Sequence, residues 1–312
     1  MNNNTESVLK KGWCVFLLAL ICQVLWGSAI PCIKVAYQLF SVPSGKPMSQ
    51  ILLAGARFTL AGVFTVLIGS ISEKRMLIPK RKSFPSIAVL AFFQTIVQYS
   101  LLFVGVAHTT SMKSSIIQGS TTFFSIVFAA YLFRQEKITP RKLIGCIIGF
   151  AGVVLINFSG DRIDRLSLLG DGLVVIATCS FALSLPLVKK YSEGEDPVLL
   201  SGYQFIVGGI VLMLIGYAGG GKLIPTAPKA WLLMSYLGFL SAAAYSLWSL
   251  LLKFNPVSRV TIYSCINPIC GVVFAALLLD EQNSFTVFQL VLSLALVCTG
   301  ILIVNLERPK EA

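Results

Sequence analysis

Apolar stretches recur from one end of this chain to the other, each bounded by a short polar joint. A bilayer core takes roughly 20 residues of α-helix to cross. The pattern therefore predicts helices over 13–40, 49–70, 84–106, 111–133, 140–158, 170–189, 197–217, 229–252, 258–279 and 285–305. Turn and charge signals mark the joints: "SVPSGKP" at 41–47, "EKRMLIPKRK" at 73–82, "RQEKITPRK" at 134–142 and "GGGKLIPTAP" at 219–228. Such loops leave no room for a sizeable soluble domain, so any function sits within the helices or at their mouths.

The pattern also resembles itself. "ILLAGARFTLAGVFTVLIG" at 51–69 lies over "VLLSGYQFIVGGIVLMLIG" at 198–216 with an offset of 147, pairing Gly55 with Gly202, Phe58 with Phe205 and Gly62 with Gly209. Tyr99 matches Tyr245 and Phe128 matches Phe274 at offset 146, and Pro31-x-x-Lys34 matches Pro186-x-x-Lys189 at offset 155. Five predicted spans per half, an odd number, turn the second half upside down relative to the first. The expected fold is an all-α integral membrane protein of ten helices, built as two inverted repeats over 8–158 and 168–306. Inverted repeats place a binding site near the midplane and allow alternating access when one half rocks against the other.

Composition agrees with a membrane chain: 56% of the 312 residues are hydrophobic and only 12% charged, against about 25% charged in soluble domains. The net charge of +12 follows topology rather than a nucleic-acid footprint. Seventeen of the 25 basic residues fall on one side of the predicted spans, six on the other, and Lys34 and Arg57 inside them. The positive-inside rule puts the richer side, and both termini, in the cytoplasm of a bacterium-like cell, with the chain in the plasma membrane against anionic lipid headgroups. The first apolar run is too long for a signal peptide and is read as retained. Eight cysteines lie inside apolar runs with no CxxC pair, which favours buried small hydrophobes over a disulfide framework or a metal site.

Several stretches resemble EamA-type transporters of the drug/metabolite transporter superfamily: "WGSAIPCIK" in the first helix, Arg57 early in the second, "INPICGVVFAALLLDE" at 266–281, "GFAGVVLIN" and "CTGILIVN". The resemblance covers about residues 10–306. It implies ten helices in two repeats, with helices 1–4 and 6–9 around a central cavity, and export of amino acids and related metabolites. Where the ninth helix carries Asn267-Pro268, the fourth carries Thr121-Thr122.

Polar side chains are costly in lipid, so a transport path shows as polar residues at helical spacing. Ser111, Ser115, Gln118, Thr122 and Ser125 form one stripe on the fourth predicted helix, and Gln94 and Gln98 lie one turn apart on the third. Thr261, Ser264, Asn267 and Gly271 share a face of the ninth, and the eighth adds Tyr245, Ser246 and Trp248. Such hydroxyls also serve helix packing; with the glutamines they are read as cavity lining. Trp26, Tyr99, Tyr245 and Trp248 offer aromatic contacts. Gln23, Gly27 and Lys34 share a face of the first helix, and Thr178 and Lys189 take the places of Gln23 and Lys34 in the second half. Pro31 is expected to loosen its helix at Gly27, making Gly27, Pro31, Pro186 and Pro268 candidate hinges. Two readings stand for Lys34 and Lys189, each about 12 Å or more from its helix centre: snorkelling to headgroups, or an ammonium at each mouth that attracts anions. Arg57, a turn or two inside its helix, either bonds helix-end carbonyls or meets a substrate carboxylate; its counterpart Gln204 is neutral.

None of the thirteen acidic residues falls in the middle third of a predicted span, which disfavours cation–proton antiport, and His108 is too shallow for a deep relay. No P-loop, nucleotide fingerprint, HExxH or GxSxG appears, so neither a cofactor nor an enzymatic activity is expected. "GCIIG" at 145–149, with Gly152, is a close-packing face, within the protein or in a homodimer. The leading reading is a secondary transporter of small polar metabolites, most of all an amino-acid exporter. An organic-anion or sugar-phosphate exchanger using Lys34, Arg57 and Lys189 stands beside it, as does a non-transporting membrane scaffold or receptor.

Overall fold

The computed structural model describes residues 3–43, 45–106, 108, 114, 117–157, 167–278 and 286–306. Among them there is helix and no strand. In chain order the helices are α1 (Asn3–Leu9), α2 (Gly12–Leu39), α3 (Pro47–Ser72), α4 (Arg81–Gly105), α5 (Ile117–Leu132), α6 (Pro140–Asn157), α7 (Leu168–Ser192), α8 (Pro197–Ala218), α9 (Lys229–Phe254), α10 (Ile266–Leu278) and α11 (Val287–Asn305), with a short helix Val257–Thr261 and a tight turn Ile262–Cys265 leading directly into α10. Seven of them, α2, α3, α4, α7, α8, α9 and α11, are long and apolar enough to cross a membrane. Of the rest, α5 is a shorter apolar helix, α10 has 13 residues, and α6 opens on Arg141 and Lys142. The expected segment 111–133 is described as helix from Ile117, and Ser111 and Ser115 lie outside the described residues.

Local chemistry sets the helix ends. Pro197 opens α8 where its missing N–H costs nothing, and the Asp196 carboxylate accepts from Val198 N at 2.7 Å and Leu199 N at 3.0 Å. Thr286 and Gln289 close a capping box on α11. Pro31 and Pro186 sit inside α2 and α7 without ending either helix, as neighbouring helices in a bundle permit. Gly27 marks a close approach: a Cβ there would stand 2.4 Å from Cys270 Cβ in α10. Residues 91–97 of α4 form a π-helical turn, and the Ser180 hydroxyl of α7 donates to the Phe93 carbonyl at 2.7 Å. Such widened turns free carbonyls and recur at functional sites.

The inversion is visible in how counterpart helices touch. A Cβ on Gly55 of α3 would stand 2.8 Å from Gly209 O of α8, and one on Gly62 2.6 Å from Gly202 O. Gly55 and Gly62 align with Gly202 and Gly209, so each contact is the image of the other, as an isologous pairing requires. The later glycine of one helix meets the earlier glycine of its partner, which makes the helices antiparallel. The same holds for α6 and α11, where Gly145 abuts Gly300 O and Gly152 abuts Ser293 O, both at 2.8 Å. The small-residue face of α6 is therefore occupied within the chain and is not open to a second copy.

On the face that bears the N-terminus, side chains tie the two halves together. Asn255 donates to Leu9 O at 3.1 Å and Arg259 to Lys10 O at 3.2 Å. The Lys189 ammonium donates to Asn255 O at 2.8 Å and Leu252 O at 3.2 Å, so it holds the C-terminal carbonyls of α9 instead of snorkelling. Glu136 accepts from Ser258 N at 2.9 Å, from the Ser258 hydroxyl, and from the Lys142 ammonium at 2.6 Å. On the opposite face, Ile224 N donates to Phe40 O at 3.1 Å and Thr226 N to Leu39 O at 2.8 Å.

The Glu136–Lys142 pair is nearly sealed, at 6% and 13% exposure. Glu136→Gln keeps an acceptor for Ser258 but leaves the ammonium without its counter-ion. Breaking such a pair costs about 3 kcal/mol, so the thermal midpoint in detergent should fall, while Lys142→Met with Glu136→Gln should recover most of it. An unchanged midpoint in the single variant would mean that the pair contributes nothing.

Candidate functional site

Four rings occupy the place where the halves meet: Phe58 of α3, Tyr99 of α4, Phe205 of α8 and Tyr245 of α9. Phe58 packs on its own counterpart Phe205, with ring centroids 5.2 Å apart, and the Tyr99 hydroxyl bonds that of its counterpart Tyr245 at 2.9 Å. The cross pairs also match, Phe58–Tyr99 at 4.3 Å and Phe205–Tyr245 at 4.7 Å. Residues that touch their own repeat images lie at the pseudo-two-fold axis, so these rings mark its passage.

Polar clasps flank the rings and obey the same symmetry. Ser241 lies one helical turn before Tyr245, and Thr95 one turn before Tyr99. Arg57 donates to the Ser241 hydroxyl from Nε at 3.2 Å and Nη2 at 2.9 Å, while Ser241 donates to Leu237 O at 3.0 Å. In the other half the Gln204 carbonyl accepts from the Thr95 hydroxyl at 2.7 Å, and its amide donates to Gln94 Oε1 at 3.1 Å. Arg57 aligns with Gln204 and Ser241 with Thr95, so the two clasps are one contact written twice, once with a charge and once without.

Arg57 is 6% exposed. It lies ten residues past Pro47, about 15 Å along the helix axis and deeper than the turn or two expected from sequence. Among the described residues no carboxylate reaches its guanidinium within 4.0 Å, and no helix-end carbonyl is its partner. The face of Phe58 lies 5.1 Å from Cζ. Beside it is a cavity of about 10 Å³ lined by Ile33, Leu53, Ala54, Phe103, Met234 and Leu237. An intramembrane cation held by one hydroxyl and a ring keeps most of its five donors for another acceptor.

Trp26 packs on both Tyr245 and Trp248, at 5.0 and 5.2 Å between centroids. Among the described residues the indole nitrogens of Trp26 and Trp248 have no hydrogen-bond partner, nor does either polar atom of Gln23, one turn before Trp26 and fully buried. Buried donors and acceptors left unpaired cost free energy, and where they gather they point to a ligand or a water. Gln98 contributes a further unpaired carbonyl oxygen.

Of the residues expected at a site, the structure thus gathers Trp26, Arg57, Tyr99, Tyr245 and Trp248, with Gln23 next to Trp26 and Gln94 on the neutral clasp. Thr122 and Gln118 are engaged elsewhere: Thr122 donates to Thr261 O at 2.9 Å, joining the fourth and ninth predicted helices, and Gln118 bonds Ser114, while Ser264 and Asn267 are half-buried on the ninth. Thr178 returns its proton to Val174 O in its own helix. Lys34 is half-buried near the end of α2, Pro186 is buried with its carbonyl taken by Gln135, and Pro268 is half-buried. Sequence reasoning missed Ser241 and Thr95, which the offset of 146 would have paired once Arg57 and Gln204 were matched.

Comparison with known proteins agrees with this architecture. A probable amino-acid metabolite efflux pump of Escherichia coli is 25% identical over 92% of this chain and 93% of its own length. An uncharacterised transporter of Archaeoglobus fulgidus is 26% identical over 96% of this chain and all of its own length. The transporter YvbV of Bacillus subtilis, also uncharacterised, is 25% identical over 97% of this chain and 95% of its own. A solved crystal structure superposes with a TM-score of 0.74 at 14% identity, covering 94% of this chain and 96% of that one, which shows a shared fold. The model of the EamA-like transporter family matches residues 13–158 and 168–306, and the chain belongs to that family.

Proposed function

We propose that this transporter carries small polar metabolites bearing a carboxylate, amino acids first among them, across the membrane by alternating access. The observation that carries the reading is Arg57, a deeply buried cation with a hydroxyl and a ring as its described partners. A carboxylate would complete it, and the guanidinium fork fits two carboxylate oxygens. The aromatic faces of Trp26, Tyr245 and Trp248 suit the ammonium of the same zwitterion, and Gln23 supplies neutral hydrogen bonds. The name of the Escherichia coli relative supports the substrate class.

The cavity beside Arg57 is about the size of one water, so a metabolite enters only when the helices part. Repeats 8–158 and 168–306 are the rocking halves, with bending at Gly27, Pro31, Pro186 and Pro268. The charge count favours the N-terminal face as cytoplasmic, in a plasma membrane with anionic lipids around it. An organic-anion exchanger needing several cations fits less well, because Lys189 already serves the carbonyls of α9.

The test is counterflow in proteoliposomes loaded with unlabelled solute. Labelled neutral amino acids should accumulate, and their carboxamides should compete at least tenfold more weakly, about 1.4 kcal/mol for the lost charge-assisted contact. Equal competition by the carboxamides would remove the carboxylate from the reading. Accumulation of sugar phosphates alone would replace it with the exchanger.

A further inference from the structure

We infer that the two symmetry-related clasps, Arg57–Ser241 and Gln204–Thr95, are two substrate-reading gates of unequal chemistry, so that selection for a carboxylate is made from one face of the membrane only. The inference rests on the reading of Arg57 as a carboxylate ligand and goes beyond it in assigning roles to Ser241, Gln204 and Thr95.

Each clasp joins one half of the chain to the other, and the rings of Phe58, Tyr99, Phe205 and Tyr245 lie between them. Helix α9 runs from the face opposite the N-terminus towards the N-terminal face, so Ser241, which precedes Tyr245, is displaced towards the opposite face. Helix α4 runs the other way, which displaces Thr95 towards the N-terminal face. A solute arriving from the opposite face meets Arg57–Ser241 first. One arriving from the N-terminal face meets Gln204–Thr95 first.

The clasps respond differently to an anion. The Gln204 amide is already matched, its carbonyl taking the Thr95 proton and its nitrogen bonding Gln94. A carboxylate there would have to displace neutral bonds without finding a charge. Arg57 has a full charge, spare N–H donors and an adjoining cavity. A carboxylate that takes the guanidinium releases Ser241, which keeps its own bond to Leu237 O, and so breaks the link between the halves at no cost in unpaired groups. Ser241 is thus a positioning residue whose weak hold makes Arg57 exchangeable, and Gln204 keeps the other gate blind to charge.

The experiment measures how strongly an amino acid is preferred over its carboxamide from each face, in right-side-out and inside-out membrane vesicles of the full chain, with an amino-terminal tag reporting which face is exposed. The wild type should prefer the amino acid about tenfold or more from the face opposite the tag and less than about threefold from the tagged face, the difference being one charge-assisted contact. Arg57→Gln makes the clasps alike and should abolish the difference between faces. The exchange Arg57→Gln with Gln204→Arg should move the preference to the tagged face. Should the double variant fail to fold, the single variant still decides. Equal preference from both faces in the wild type, lost equally in Arg57→Gln, would overturn the two-gate inference and leave Arg57 as a shared ligand. No preference from either face would overturn both.

Discussion

An Arg57→Met protein should transport a carboxylate substrate about 100-fold less efficiently and yet unfold at a higher temperature than the wild type. The first half follows from losing a desolvated charge-assisted contact, about 3 kcal/mol in kcat/KM. The second half follows from what Arg57 lacks. A cation at 6% exposure with no carboxylate among the described residues beside it carries a desolvation cost that two bonds to one hydroxyl do not offset, and apolar replacement of such groups is often stabilising. Methionine fills a similar unbranched volume against Ile33, Leu53 and Met234, and Ser241 retains its bond to Leu237 O. Arg57→Lys is the informative companion: it keeps the charge but not the planar fork, and should lose transport without gaining stability. Transport kinetics in proteoliposomes and unfolding in the same detergent provide the two readouts. A lower midpoint for Arg57→Met would make the arginine a structural cation and detach it from substrate.

Gly209→Leu should prevent assembly of the two halves. A Cβ at that position would stand 2.5 Å from both Thr59 N and Thr59 Oγ1 and 2.9 Å from Gly55 O. Two of these are backbone atoms of α3 and cannot turn aside, so the helices must separate. Overpacking of this kind costs about 3 kcal/mol, and here it falls on the contact that holds repeat to repeat. The image substitution Gly62→Leu, against Gly202 O and Ile206 N at 2.6 and 2.7 Å, should do the same. Gly172→Ala is the control, with nothing within 4 Å of its added carbon; it should be neutral or slightly stabilising through backbone entropy. Monodisperse yield and thermal midpoint report the result. Full yield from Gly209→Leu would mean that α3 and α8 do not pack through these glycines.

Much of this arrangement could be read from the chain because a bilayer simplifies the rules. Long apolar runs have few alternatives to helix, and where the limits fall on described residues those expected from sequence lie within a few residues of those found, the segment 258–279 beginning as the short helix Val257–Thr261. The repeat was legible through residues that packing cannot easily substitute: a side chain at Gly55, Gly62 or Gly209 would collide with a neighbouring backbone, and one at Gly202 with the Val66 and Thr65 side chains. Arg57 was legible as an anomaly, since a charge in a span calls for a reason. What could not be read was which polar side chains face one another. The stripe of Gln118, Thr122 and Ser125 has helical spacing, yet Ser125 bonds Thr122 O in its own helix and Thr122 bonds Thr261 O. Hydroxyls satisfy themselves locally or across a packed seam as readily as they line a path, and spacing is the same in either case. Lys189 illustrates the other difficulty. Its depth suits snorkelling, but the carbonyls ending α9 lie within reach, and only the tertiary placement of Asn255 reveals them. Ser241, an unremarkable small residue in sequence, acquires its importance from standing opposite an arginine in another repeat.

The position of the four rings has a consequence for the energy supply of the cell. Phe58, Tyr99, Phe205 and Tyr245 close the seam between the halves in this arrangement, each ring against its neighbour from the other repeat or its own. A continuous thread of water along this seam would have to pass between rings packed 4.3 to 5.2 Å from one another at their centroids. Such a plug interrupts any file of hydrogen-bonded water, along which protons would otherwise hop. While the halves are closed as they are here, that contact keeps the seam dry, so on the proposed cycle the resting protein would not discharge the ion gradients on either side.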